Sequence, residues 1–152
     1  DAGVDILSLG GTKIGALAAE AVVVFNPALQ ARLPYLRKTS MQLASKMRFM
    51  SAQLIELFGN GAELALSAAT HANAMAARLD AGLRSQGIEV PNSTDANAVF
   101  PIFSAELTAR LQREFRFYVW NETTGMVRLM CSWDTTEADV DELLAAVARK
   151  AK

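Results

Sequence analysis

The sequence predicts an α/β chain in which the end of a larger α/β sheet is followed by a small α+β domain with an antiparallel sheet. Two apolar, strand-like segments lie near the start, two long helical segments follow, and short strands then alternate with helices. We therefore expect the end of a large α/β domain over residues 1–40, linking helices over 41–87 and a small α+β domain over 88–152.

The composition predicts a folded, soluble domain. Hydrophobic residues make up 51% of the 152 positions and the formal net charge is −1, which excludes a disordered chain and gives no reason to expect nucleic acid or an anionic membrane as a partner. The single cysteine, Cys131, forms no internal disulfide and favours a reducing compartment, the cytoplasm. Because the chain begins at Asp1 and enters a strand almost at once, we expect it to be a piece of a longer protein.

The first two elements are strands with a loop between them. Residues 4–9 are typical of a short buried strand that a glycine pair ends, and residues 20–25 (EAVVVF) form a second strand that an Asn-Pro pair ends. Lys13 then lies in the loop between neighbouring strands. Residues 28–39 are expected to be a short helical or irregular connection interrupted by Pro34.

Two long helices follow. Residues 41–58 repeat apolar side chains at helical spacing and end at Gly-Asn-Gly, a sequence suited to left-handed residues at a helix C-terminus. Residues 62–86 form the second helix, which Gly87 ends. Its expected apolar stripe consists of Leu64, Ala68, His71, Met75, Leu79 and Leu83.

The last part has the pattern of a small α+β domain. Strands are expected at 88–90 and, despite Pro101, at 98–103, with a helix at 105–115. Residues 117–120 and 126–132 predict a hairpin around a turn that ends in glycine. A final helix begins after the potential N-cap residues Asp134, Thr135 and Thr136.

Lys13 allows three interpretations: a phosphate-binding loop, a Schiff-base lysine or an ordinary loop lysine. A phosphate-binding loop requires Ser or Thr after its lysine, and Ile14 stands there instead. A Schiff-base lysine needs a partly unprotonated amine, which burial favours, and the apolar and glycine neighbours agree with this. Thr12 offers a hydroxyl for a cofactor phosphate. From spacing alone, a solvated loop lysine remains the leading interpretation.

Two arginines lie in apolar surroundings. Arg128, in GMVRLMCSW, is either an edge residue whose charge reaches solvent or a rigidly held fork for a carboxylate. Arg48, between Met47 and Phe49, has the same ambiguity. The single histidine, His71, is expected to be packed and hydrogen-bonded on its helix.

No metal site is expected, since one histidine and one cysteine lie far apart in the sequence. Trp120 and Trp133 are expected to close the core rather than to line a site.

Five segments together resemble a known family. They are VDILSLGGTKIGALAAEAVVVF, ASKMRFMSAQ, THANAMAARL, ANAVFPIF and FYVWNETTGMVRLMCSWDTTEADVDELL. These segments are similar to the C-terminal half of bacterial low-specificity L-threonine aldolases, in the β-eliminating lyase group of fold-type-I pyridoxal-phosphate enzymes. The resemblance runs over essentially all of the chain, and its first and last segments are the specific ones.

The resemblance implies roles for four residues. Lys13 matches the lysine that binds pyridoxal 5'-phosphate covalently, and Thr12 matches the adjacent hydroxyl residue that touches the phosphate. Arg128 matches the arginine that binds the substrate α-carboxylate. Arg48 matches an arginine that reaches the cofactor phosphate of a neighbouring subunit. Ile14 departs from the polar residue that often follows the lysine in this family.

The resemblance also implies what the whole protein does. It would cleave L-threonine or L-allo-threonine to glycine and an aldehyde, as a homo-oligomer (a dimer or tetramer), with the rest of the site on its N-terminal half. The present chain alone is then expected to be inactive. The alternatives are a pyridoxal-phosphate-dependent β-eliminating amino-acid lyase and a non-catalytic α/β module.

Overall fold

The computed structural model describes residues 3–149. It forms two compact units, which we call unit 1, extending to Leu66, and unit 2, beginning at Ser67. Helices and small antiparallel sheets make up both units, so the predicted mixed fold class is confirmed. The predicted division at residues 40 and 87 concerns the whole protein and stays a prediction.

Unit 1 begins with an antiparallel pair of strands. β1 (Ile6–Gly10) and β2 (Glu20–Val24) pair in a register that places Ile6 opposite Val24 and Gly10 opposite Glu20. Both strands were predicted from the sequence, and so was their position as neighbours. The register brings the two ends of the Lys13 loop together.

The expected burial of β1 is wrong for this chain. Ile6 is 48% exposed and Val22 on β2 is 65% exposed, although both have the apolar character of core positions. The reason is the size of the sheet, because two strands alone cannot cover both of their own faces.

Two helices of unit 1 begin at different places from those expected. α1 (Leu33–Thr39) carries Pro34 in its first turn, where a missing N–H group costs nothing, so this proline begins a helix instead of interrupting one. α2 spans Arg48–Phe58 and not 41–58. The chain turns at Met41, whose φ is 54°, and that left-handed conformation separates α1 from the residues that lead into α2.

The third helix was predicted closely. A 3-10 turn at Asn60–Ala62 separates α2 from α3 (Glu63–Ser85). Asn60 and Gly61 have φ values of 48° and 74°, and Gly87, after the helix, has a φ of 78°. These left-handed residues end α2 and α3 where the sequence indicated.

Unit 2 contains a three-stranded antiparallel sheet. Its strands are β3 (Ala98–Val99), β4 (Tyr118–Asn121) and β5 (Met126–Met130), in the order β3-β5-β4. Two further helices, α4 (Ala105–Leu111) and α5 (Glu137–Ala148), complete the unit. The predicted hairpin and final helix are confirmed, and α4 is shorter than the expected 105–115.

The sequence predicted more strand at the start of unit 2 than the structure contains. Residues 88–90 form no strand, although the Glu89 carbonyl accepts a hydrogen bond of 2.9 Å from the Ile102 N–H group. β3 has two residues rather than six because Pro101 has no N–H group to donate to a neighbouring strand.

The core of unit 2 lies between α3, the sheet and α5. Its fully buried side chains include Leu83, Leu111, Val99 and Val127. Of the stripe expected on α3, Met75, Leu79 and Leu83 are buried, whereas Leu64 and His71 are exposed. Among the residues that the structure describes, no helix is both long and apolar enough to span a membrane.

Candidate functional site

Lys13 lies in a short, tightly bonded turn of unit 1. Thr12–Ile14 form a 3-10 turn between β1 and β2, followed by Gly15 at a φ of 110°. The Gly11 carbonyl accepts hydrogen bonds of 3.1 Å from the N–H groups of Ile14 and Ala16. These bonds fix the backbone on both sides of Lys13.

Gly11 anchors this turn, and no larger residue fits there. Its N–H group donates to the Ala19 carbonyl at 2.7 Å. An added Cβ atom would lie 2.8 Å from that same carbonyl oxygen and 3.2 Å from Cδ1 of Leu57. The close approach of two backbone segments therefore requires glycine.

Thr12 ties the turn to β2. Its Oγ1 accepts a hydrogen bond from the Ala19 N–H group at 3.2 Å, and its own N–H group donates to Oε1 of Glu20 at 3.2 Å. The Thr12 side chain, then its backbone N–H group and then the charge of Lys13 lower the pKa of the exposed Glu20 carboxyl. Glu20 therefore stays ionised beside the Lys13 turn.

The Lys13 side chain is exposed. The burial that was expected to favour its unprotonated amine is therefore absent within this chain, since the sheet beside it has only two strands. None of the ion pairs within residues 3–149 involves Lys13. Its amine is accessible to a ligand.

Arg48 is the first residue of α2 and is also exposed. The first turn of α2 contains no acidic residue. A cation at the positive end of a helix is disfavoured unless an anion lies nearby, so Arg48 and the N-terminus of α2 together suit an anionic group.

Arg128 lies on the central strand of the unit 2 sheet. β5 is paired on both sides, and Tyr118 of β4 is directly opposite Arg128. Arg128 therefore does not lie on an edge strand, and its role as a carboxylate fork stays a prediction. Within residues 3–149 the Arg128 Nε atom is buried and has no hydrogen-bond partner, so this guanidinium keeps an N–H donor that a carboxylate oxygen could accept from.

Sequence reasoning missed the aromatic neighbour of Arg128. The Cζ atom of Arg128 lies 5.4 Å from the centroid of a Trp120 ring, a cation–π distance. Trp120 is 57% exposed and Trp133 is 46% exposed, so the expectation that both close the core is wrong. The hairpin pattern was the available signal, because it puts position 120 on the strand next to position 128.

The sequence also made predictions for the single histidine and the single cysteine. His71 is exposed, so its predicted packing is wrong, but it is hydrogen-bonded as expected, with Nε2 2.6 Å from the Thr135 carbonyl oxygen. Cys131 is buried and free, and burial raises the pKa of its thiol. Cys131 therefore lacks the exposure and the low pKa of a reactive thiol.

The four predicted site residues are divided between the units. Thr12 and Lys13 share one turn and Arg48 begins a helix of the same unit, whereas Arg128 belongs to unit 2. Among the described residues, no group of three or more histidine, cysteine, aspartate or glutamate side chains could hold a metal ion.

Two curated relatives match almost the whole chain. It is 42% identical over 148 residues to a low-specificity L-threonine aldolase of Pseudomonas sp. (strain NCIMB 10558), covering 96% of this chain and 42% of that protein. It is 41% identical over 145 residues to a low-specificity L-threonine aldolase of Pseudomonas aeruginosa, covering 93% of this chain and 41% of that protein. The chain thus spans about two fifths of their length. No protein-family model matches it.

Two known structures share the fold. A threonine aldolase of Leishmania major superposes with a TM-score of 0.82 at 29% identity, over 94% of this chain and 42% of that one. A serine palmitoyltransferase of Sphingomonas wittichii superposes with a TM-score of 0.63 at 17% identity, over 95% of this chain and 39% of that one. At 17% identity the second likeness concerns the fold alone.

Proposed function

We propose that this homologue of low-specificity L-threonine aldolases is part of an enzyme that cleaves L-threonine, L-allo-threonine and related 3-hydroxy amino acids to glycine and an aldehyde. The observation that carries the proposal is the 42% identity over 148 residues to the Pseudomonas aldolase. Since the chain spans 42% of that protein, the proposal concerns the whole enzyme, and we expect the chain alone to be inactive.

The cofactor of this proposal is pyridoxal 5'-phosphate, and Lys13 would hold it. When bound, the cofactor supplies an electron sink for the electron pair left on the substrate Cα atom. The accessible amine of Lys13, in a turn fixed by hydrogen bonds on both sides, fits a covalent attachment point. Thr12 in the same turn would contact the phosphate, and Arg48 would reach the phosphate of a neighbouring subunit.

Arg128 would bind the substrate α-carboxylate. Its buried Nε atom, which has no hydrogen-bond partner in the described part of the chain, and its place on a strand that is paired on both sides support this role. A guanidinium can donate two parallel hydrogen bonds to one carboxylate. When the carboxylate is fixed, rotation about the bond between the amine nitrogen and Cα is fixed as well. This orientation decides which bond at Cα is cleaved.

The whole protein would be a cytoplasmic homo-oligomer, a dimer or tetramer. Exposed apolar side chains of unit 1, such as Val22 and Phe49, support burial against further protein. The free Cys131 thiol agrees with a reducing compartment. The amino-acid substrate and the N-terminal half of the same protein are the other partners of this proposal.

The decisive experiment uses the full-length protein and its Lys13→Ala variant. We expect the unmodified protein to convert L-threonine to glycine and acetaldehyde, and the variant to lose both cleavage and the absorbance band of lysine-bound cofactor. Lys46→Ala, at an exposed lysine of the same unit, is the matched control and should keep both.

Two results would contradict the proposal. Ammonia formed in place of glycine would indicate a β-eliminating lyase. A Lys13→Ala variant that retains the absorbance band would show that another residue holds the cofactor.

A further inference from the structure

We propose that Trp120 is a positioning residue that holds the Arg128 guanidinium in place for the substrate carboxylate. The inference rests on the proposed function, because it assumes that Arg128 binds a carboxylate. It concerns unit 2 alone, and it assigns a role to a tryptophan that is exposed in this chain.

Trp120 lies next to Arg128 across the β4–β5 hairpin, at a shift in the strand register. Val119 pairs with Val127 and Asn121 pairs with Met126, so Trp120 is one extra residue on β4 without a partner on β5. Tyr118 is directly opposite Arg128, so Trp120 is a diagonal neighbour of Arg128 on the adjacent strand. The centroid of its indole ring lies 5.4 Å from Cζ of Arg128.

A second aromatic ring supports Trp120. Phe100 meets it edge to face, with ring centroids 5.5 Å apart and an interplanar angle of 67°. Such a pair limits the rotation of both rings. The half-exposed indole is therefore held by Phe100, although it lies outside the buried core.

Stacking suits a carboxylate-binding arginine for a chemical reason. The face of a guanidinium can pack on an aromatic ring without using any of its five N–H donors, so all of them stay available to a ligand. The Nε atom of Arg128 is buried without a hydrogen-bond partner, so no hydrogen bond within residues 3–149 fixes the side chain at that atom. The Trp120 ring, 5.4 Å from Cζ, supplies a contact that holds the guanidinium in place.

The test measures ligand affinity instead of turnover. Glycine is the simplest α-amino carboxylate, and glycinamide has the same amine without the carboxylate. Binding of each to the full-length holoprotein is measured by calorimetry for four variants: Trp120→Leu, Trp120→Phe, Arg128→Met and the Trp120→Leu/Arg128→Met pair. Trp133→Leu, at the other exposed tryptophan of unit 2, is the matched control.

We expect Trp120→Leu to weaken glycine binding about three- to tenfold, the size of a partly desolvated cation–π contact. Glycinamide binding should not change. Trp120→Phe should restore most of the affinity, because it keeps an aromatic face, and Trp133→Leu should have no effect. In the Arg128→Met background, Trp120→Leu should cause no further loss.

The inference is overturned if Trp120→Leu leaves glycine affinity unchanged, if it weakens binding equally without Arg128, or if the protein shows no Arg128-dependent glycine binding. The proposed function can fail separately. Arg128- and Trp120-dependent glycine binding in a protein that does not cleave L-threonine would support the inference and refute the aldolase activity.

Discussion

At the scale of single residues, the turn before Lys13 depends on Gly11, where a Cβ atom would lie 2.8 Å from the Ala19 carbonyl oxygen. We predict that Gly11→Ala lowers the free energy of unfolding of the full-length protein by about 1–3 kcal/mol, because backbone has to move to admit the methyl group. Urea denaturation measures the change.

Gly10→Ala is the control for this prediction. Its Cβ atom would lie 2.8 Å from Oε2 of Glu20, the end of a flexible side chain that can move aside. The free energy of unfolding should therefore fall less than in Gly11→Ala. Equal losses in the two variants would contradict the steric explanation.

Residue types and sequence patterns indicated which side chains are candidates for the site. The contacts of those side chains depend on how the strands pair, which the sequence does not determine. Lys13 and Arg128 were singled out from sequence alone. The hydrogen bond from Thr12 to Glu20 depends on a hairpin register that the sequence leaves open. The hairpin pattern puts Trp120 on the strand next to Arg128, but the register shift beside Trp120 gives no recognisable signal in the hydrophobic pattern.

At the scale of elements, α5 begins with a reciprocal capping box. The Thr136 N–H group donates to Oδ2 of Asp139 at 2.7 Å, and the Asp139 N–H group donates to Oγ1 of Thr136 at 3.2 Å. Hydrogen bonds from the side chain and then from the backbone of Thr136 lower the pKa of the Asp139 carboxyl from its ordinary value of 3.8. The ionised carboxylate therefore stabilises the helix start.

The lowered pKa predicts a pH dependence. A group with a depressed folded-state pKa stabilises the protein fully above its unfolded pKa, and this stabilisation is lost as the pH falls through the folded value. We predict that Asp139→Asn lowers the melting temperature at neutral pH, and that the gap to the unmodified protein closes as the pH falls below 3.8. Melting curves from pH 7 to strongly acidic buffer measure the gap.

Asp134→Asn, which removes a carboxylate outside the capping box, serves as the control. If the Asp139→Asn deficit were independent of pH, the charge of Asp139 would not be the source of the stabilisation.

Element type was more predictable than element length. The helices α2 to α5 fall within segments predicted to be helical, yet α2 begins at Arg48 instead of residue 41. Helical spacing of apolar residues continues through 41–47, whereas the left-handed backbone at Met41 is a local choice that periodicity does not detect. The length of β3 was overestimated for a related reason, because a single proline interrupts the hydrogen bonding between two strands.

At the scale of the whole molecule, unit 1 exposes many large apolar side chains. They include Leu17, Phe25, Met41, Phe49 and Ile55. The curated relatives are more than twice as long as this chain, and a whole enzyme would have further protein to cover such a surface. We expect the same additional protein to cover the strands that were predicted to be buried.

We predict that Met41 is protected from oxidation in the full-length protein. Met41 is 90% exposed in this chain, whereas Met75 is 8% exposed. Under mild peroxide treatment of the full-length protein, followed by mass spectrometry, both methionines should form sulfoxide slowly. Rapid oxidation of Met41 alone would mean that the rest of the protein leaves this part of unit 1 open.

The buried Cys131 thiol can serve as a probe of how often unit 2 opens locally. The thiol lies in the core with a raised pKa, so an alkylating reagent can reach it only while the surrounding sheet is transiently open. The labelling rate of Cys131 therefore reports how often this part of unit 2 opens. If glycine slows the labelling, the ratio of the two rates measures how much a bound ligand reduces opening next to β5.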